Sequence, residues 1–287
     1  MGNMPIYDEI KKKFVLPDAH EDWKDYRLLL TDNIVRLGSG DKSKTVSVIG
    51  AGRCNDIDLH RLCRSFEQVT LADCDSGAMG EAIRGLDNPE IWKMHLVEMS
   101  LTGIREKDIS VFCEKILADL RKAGKGLNAE MFQETVFSGI ESLKSKMYRS
   151  ETELLNIIPK SDIILCNGVF SQLFSTISFF IRSCAASLSP VMIPNAMETA
   201  DKADEWLKAA GREIIPVITE SIIRSAKDFA VFGNEYSENN PVEGACRCIE
   251  AVRNYEGILE ETRAVWDFNR TGNVRYEMLL QTVSGKG

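Results

Sequence analysis

The chain has 287 residues, 44% of them hydrophobic and 27% charged. That length and apolar content suit one large domain or two small ones around a buried core, and they exclude disorder, collagen-like and low-complexity classes. Acidic residues outnumber basic ones, 43 to 35, for a net charge of −8, which argues against nucleic acid or an anionic membrane as the main partner.

No segment reaches the ~18 consecutive apolar residues of a membrane span. The longest apolar-rich stretch, Val169 to Leu188, is interrupted by Ser171, Gln172, Ser175, Ser178 and Arg182. The opening MGNMPIYDEIKKKF has no apolar signal core, so the expected location is cytoplasmic, with reduced thiols. Only Cys246 and Cys248 among the eight cysteines lie close together, and His20, His60 and His95 form no ligand-spaced pair. No metal site is expected.

In chain order, residues 5–37 read as helical, because Trp23, Tyr26, Leu29, Leu30 and Ile34 recur at helical spacing. Gly38, Ser39, Gly40 and Asp41 form a turn. Strands are expected at Thr45–Ile49, Val69–Asp73 and Trp92–Met99, alternating with helices at Asp56–Ser65 and Gly77–Leu86. Such alternation means parallel strands with crossover helices. Residues 103–158 are mostly helical with a turn at Gly124 and Gly126, too long for one crossover, and read as a helical insertion. A fourth strand follows at Ile163–Asn167, then a helix from Phe170 to Ala186. Another helix spans Glu198 to Ala210, stopped by Gly211. Glu213–Thr219 reads as a fifth strand. A polar loop at Gly233–Pro241 and a helix at about 241–252 come next. The chain closes with a hairpin, Arg263–Asn269 and Val274–Val283. The expected domains are an N-terminal helical extension, 1–40, and an α/β domain, 41–287, carrying the insertion at about 103–158.

The most informative run is VSVIGAGRCNDIDLHRLCRSFEQVTLADCD, Val46 to Asp75. A strand enters Gly50, Ala51 and Gly52, then a helix, then a second strand ending in Asp73. Glycine permits a tight turn and close approach of a ligand to the backbone. An acid at the next strand end can accept hydrogen bonds from two ribose hydroxyls. Asp73 lies 21 residues after Gly52, near the ~20 expected of that acid. A dinucleotide fold would place a third glycine where Asn55 stands, followed here by Asp56 and Asp58. Acids at that position repel a pyrophosphate and favour a cationic ligand.

These residues resemble the class I S-adenosylmethionine-dependent methyltransferase family, over 45–103 and 161–220. The family fold is a three-layer, Rossmann-like α/β sandwich with a mostly parallel seven-stranded sheet, the last strand antiparallel beside the fifth. The terminal hairpin fits that pattern. The resemblance implies a cofactor site formed by Gly50, Ala51, Gly52, Asn55, Asp56, Asp73, Cys74, Ser100, Leu101, Asn167 and Gly168. Asn167 and Glu220, at expected strand tips, are substrate candidates. Two positions depart from the family: Val48 and Ser100 stand where an acid is common, and Asp56 is the candidate to hold the cofactor amine instead.

The implied activity is methyl transfer from S-adenosylmethionine, releasing S-adenosylhomocysteine, to a small-molecule acceptor roofed by the inserted helices. No single catalytic residue stands out, because an aligned nucleophile suffices against so good a leaving group. Two alternatives stay open: an NAD(P)-dependent Rossmann oxidoreductase, and a methyltransferase-like binding protein without catalysis. The N-terminal helix carrying Trp23 and Tyr26 is either a core anchor or a lid on the cofactor pocket.

Overall fold

A computed structural model describes residues 6–39, 41–189 and 193–286. Gly40 of the expected turn, and the first five residues of the N-terminal extension, lie outside that set. Contact clustering separates two compact units. Of the described residues, the first comprises 6–15, 102–148, 172–189 and 193–214, and the second 16–39, 41–101, 149–171 and 215–286.

The second unit holds the sheet. Its elements are α2 (Ala19–Asp22), α3 (Lys24–Gly38), β1 (Thr45–Ile49), α4 (Leu59–Ser65), β2 (Gln68–Asp73), α5 (Ser76–Ala82), α6 (Asn88–Ile91) and β3 (Met94–Glu98). After the insertion come α9 (Glu151–Leu155), β4 (Ser161–Asn167), β5 (Ala226–Glu235), α12 (Glu243–Arg253), β6 (Ile258–Asn269) and β7 (Val274–Ser284). The strand order is β3-β2-β1-β4-β5-β7-β6. Strands β1 to β5 run parallel, and β7 enters antiparallel between β5 and β6. The fold is the Rossmann-like one that the resemblance implies.

Alternation along the strands sends Val46 and Val48, Val69 and Leu71, Ile163 and Leu165, Val231, and Met278 and Leu280 to one face. There they meet Tyr26, Leu30 and Ile34 of α3, and Leu59, Leu62 and Cys63 of α4. On the other side α12 packs on β5 and β7. These central strands are buried on both faces, as parallel sheets require.

The first unit is helical: α1 (Ile6–Lys13), α7 (Glu106–Ala123), α8 (Ala129–Lys144), α10 (Ser175–Leu188) and α11 (Ala196–Ser225) as far as Ile214. Phe112, Cys113 and Ile116 of α7, Phe132, Val136 and Ile140 of α8, and Ile177, Phe180 and Ile181 of α10 form its core. Arg182 ties α10 to α11 through Asp201 and Asp204.

The fifth strand is not where the sequence pattern puts it. Residues 213–219 lie inside α11, which runs unbroken past Gly211 and Pro216 to Ser225, and the strand is Ala226–Glu235. The β-branched run Ile214, Ile215, Val217, Ile218, Thr219 suggests a strand. The buried positions over 214–223, however, are Ile214, Ile215, Ile218, Thr219, Ser221, Ile222 and Ile223, in which the pairs 214/215, 218/219 and 222/223 recur every four residues, as on a helix face. Gly211 is therefore mid-helix rather than a stop. The expected loop at 233–241 begins three residues late, after Glu235.

Candidate functional site

The site residues gather at the C-terminal ends of β1, β2, β4 and β5, the edge where open α/β sheets bind ligands. Strand β1 ends at Ile49, and the chain turns sharply through Gly50 (φ 70°) and Gly52 (φ 48°). Both angles are in the left-handed region that glycine enters without steric cost. Gly50 has a second reason: a Cβ there would lie 2.2 Å from Val169 Cγ2. At Gly52 a Cβ would meet nothing within 4 Å, so the backbone there faces open space. Cys54 also adopts a positive φ of 52°. Burial first, then the charges of Asp56 and Asp73, push its thiol well above the usual range.

The turn is stitched to β2. Gly50 N and Ala51 N donate to the Ala72 carbonyl at 2.8 and 3.3 Å. Gly52 N donates to Asp73 Oδ2 at 2.9 Å, and Asp75 N to Asp73 Oδ1 at 2.8 Å. A carboxylate offers about four lone-pair sites, so two amides leave capacity for further donors. Burial raises the Asp73 carboxyl, against the pull of the Asp75 and Gly52 amides and the Cys74 thiol.

A second group centres on Asn167, the last residue of β4. Its Nδ2 donates to Asp56 Oδ2 at 2.6 Å, and its Oδ1 accepts from Tyr26 Oη at 2.6 Å. A carboxylate on one side and a phenol on the other fix which way the amide points. Desolvation raises the Asp56 carboxyl, opposed by the Asn167 hydrogen bond and by Arg27. Burial and the charges of Asp56 and Glu235 hold the Tyr26 phenol well above its usual value. Helix α3 supplies more of the frame. Arg27 donates to the Asn55 carbonyl at 2.7 Å, and Asp58 N donates to Thr31 Oγ1 at 3.0 Å. Trp23 and Tyr26 are core anchors: the Trp23 indole donates to Phe268 O, and Tyr26 stacks on Trp266 with centroids 4.9 Å apart.

The structure thus brings together Gly50, Ala51, Gly52, Asn55, Asp56, Asp73, Asn167 and Gly168. Gly168 (φ 65°) donates its N–H to the Gly233 carbonyl at 2.8 Å. Cys74 is exposed just past β2, and Ser100 and Leu101 are buried just past β3. Glu220 does not belong. It is an exposed residue in α11 rather than at a strand tip, a consequence of the misplaced fifth strand.

The true tip of β5 carries Glu235, which the sequence reading missed. It is 7% exposed. Its Oε1 accepts from Ser171 Oγ at 2.8 Å, while its Oε2 is buried with no partner. Trp266 Nε1 is likewise buried and unpartnered. A signal was present: FAVFGNE is an apolar run ending in an acid, as VTLAD is.

Among the described residues, no group of three His, Cys, Asp or Glu side chains is placed to hold a metal, and no helix is long and apolar enough to cross a membrane.

No protein-family model matches the sequence, and no curated protein matches it significantly. Several solved structures match in three dimensions. Magnesium protoporphyrin IX methyltransferase from Synechocystis PCC 6803, with bound SAM, is 10% identical with a TM-score of 0.45, over 96% of this chain and 88% of that one. N-methyltransferase NodS from Bradyrhizobium japonicum WM9, in complex with S-adenosylhomocysteine, is 11% identical with a TM-score of 0.45, over 99% and 100%. A putative class I S-adenosylmethionine-dependent methyltransferase from Listeria monocytogenes is 9% identical with a TM-score of 0.46, over 98% and 69%.

Proposed function

We propose that the chain is an S-adenosylmethionine-dependent methyltransferase acting on a small-molecule acceptor. The observation that carries this reading is the Gly52–Asp73 junction: a glycine facing open space whose amide holds the acid at the end of the neighbouring strand. That pairing suits a nucleoside whose ribose hydroxyls bond Asp73 while its chain lies over the turn. The acids favour a cation over a pyrophosphate, because Asn55 replaces the third glycine and Asp56 follows it.

The residues present fit the cofactor. Gly50, Ala51 and Gly52 would line its amino-acid end and Asp73 its ribose. Ser100 and Leu101 would lie by its base, with Cys74 beyond Asp73. Asp56, steadied by Asn167, would take its amine in place of the acid missing at Val48. Asn167 and Gly168 would border the methyl group. When bound, S-adenosylmethionine supplies a sulfonium methyl that an acceptor's lone pair can take, the S–C electron pair returning to sulfur. The protein's own share is to align, to exclude water and, for a protonated acceptor, to receive the proton.

Isothermal titration with S-adenosylhomocysteine and with NADH tests this. We expect the thioether to bind and NADH not to. Tight NADH binding without thioether binding would replace the reading with an oxidoreductase. Binding of neither would leave a protein that kept only the fold.

A further inference from the structure

Glu235 is a buried acid with one oxygen occupied and one empty. Its side chain shares a face of the sheet with Gly233, whose Cα faces the Asn167 amide and Leu280. Across the sheet Glu235 pairs with Met278, and Tyr276 pairs with Trp266. Residues 276 and 278 lie on one face, so Tyr276 stands diagonally across from Glu235. Its charge reaches Tyr276 and Tyr26, whose phenols are raised first by burial and then by neighbouring carboxylates. Asp56, the second acid near Tyr26, has Arg27 acting on it. Glu235 pairs with no lysine or arginine among the described residues, and its one hydrogen bond is from Ser171.

A buried carboxylate oxygen without a donor is costly to keep. A protein that keeps one beside aromatic rings has a place for a cation, since carboxylate and ring faces attract positive charge together. Ser171 fixes Oε1, so Oε2 is oriented before any ligand arrives.

We propose that Glu235 Oε2 receives the acceptor of the reaction, and that this acceptor is a small primary or secondary amine arriving as its ammonium ion. The proposal rests on the methyltransferase reading for the word acceptor, and on the Glu235 geometry for the chemical class. An ammonium nitrogen has no lone pair. At Oε2 one N–H bond breaks, its electron pair stays on nitrogen, and the proton forms an O–H bond on Glu235. The nitrogen is then a nucleophile held at the tip of β5.

The test uses the full chain, saturated with S-adenosylhomocysteine and also without it. Butylamine, 2-phenylethylamine and tryptamine are titrated against 1-butanol, 2-phenylethanol and tryptophol at pH 7, where the amines are cations. We expect at least one amine to bind tenfold or more tighter than its alcohol. Glu235→Gln keeps an oxygen for Ser171, and should reduce that preference to threefold or less without changing S-adenosylhomocysteine affinity. Glu235→Asp keeps the charge and should retain part of the preference, which guards against a folding artefact. Equal binding of amine and alcohol, no amine binding, or a preference that survives Glu235→Gln would each overturn the proposal. So would a Glu235→Gln variant that loses affinity for S-adenosylmethionine but not for S-adenosylhomocysteine, because Glu235 would then serve the sulfonium. The two readings fail separately. A Glu235-dependent amine preference without S-adenosylhomocysteine binding sinks the methyltransferase reading alone. Thioether binding without the preference sinks only the amine.

Discussion

Gly233→Ala is the sharpest probe of how the site is built. Gly233 lies in β5 opposite Asn167, and an added Cβ would sit 1.9 Å from Asn167 Oδ1 and 3.0 Å from Leu280 Cδ2. An exposed terminal atom could swing aside cheaply. This one is pinned, because Oδ1 accepts from Tyr26 and the same amide donates to Asp56, each at 2.6 Å. Overpacking a tight core costs about 1–3 kcal/mol. Displacing the amide also forfeits one neutral hydrogen bond, worth about 1 kcal/mol, and one to a carboxylate, worth about 1.5–3 kcal/mol. Less the about 0.5–1 kcal/mol that glycine to alanine gains in an unobstructed strand, the expected loss is about 3–6 kcal/mol. Urea unfolding of Gly233→Ala, Asn167→Ala and the double variant measures it. Asn167→Ala removes the obstacle, so the two losses should be strongly non-additive, with Gly233→Ala near neutral in that background. If Gly233→Ala costs under about 0.5 kcal/mol in the parent chain, the pinned amide is wrong.

Asp73→Asn should weaken S-adenosylhomocysteine binding by about 10–100-fold, as expected from losing charge-assisted ribose hydrogen bonds; calorimetry with the variant decides it. Burial raises the Asp56 carboxyl in the folded state, so its ionised form costs stability at neutral pH. Asp56→Asn should therefore be more stable than the parent at pH 7 without ligand. That gap should close as pH falls through the raised folded value toward the unfolded one, because the parent regains stability on protonation; a gap that widens on acidification refutes it. Tyr26→Phe keeps the ring on Trp266 but leaves Asn167 Oδ1 without its phenol, at a cost of about 1–3 kcal/mol in chemical unfolding. Glu220→Ala, on the exposed side of α11, should leave stability within about 0.5 kcal/mol and cofactor affinity unchanged.

Much of this was legible in the residues. The strand, glycine turn, helix, strand and acid between Val46 and Asp75 form a local unit whose spacing is set by chain geometry, so its reading survives. The terminal hairpin was legible for the same reason, since Thr271, Gly272 and Asn273 mark its turn. The fifth strand was not. Local β propensity in 214–219 competes with a helical burial pattern that emerges only when Ile222 and Ile223 are counted in the same window. Pro216 and Gly211 look like breaks in isolation, yet a helix held by packing along its length tolerates both. That shift carried the substrate candidate to Glu220 and hid Glu235. Trp266 was invisible beside the site, because its stacking on Tyr26 joins elements far apart in the chain.

The distance of that meeting along the chain bears on how the protein is made. The Trp23 indole reaches the carbonyl of Phe268, 245 residues away, and Tyr26 rests on Trp266. During synthesis the helix carrying Tyr26 emerges well before the strand that anchors it, which follows more than 200 residues later. Until then its apolar side, Tyr26, Leu30 and Ile34, lacks its full cover. Contacts of such long range form slowly. Chains interrupted before residue 266 should therefore expose this helix to proteases and chaperones, making it the part of the molecule where unfinished copies are recognised.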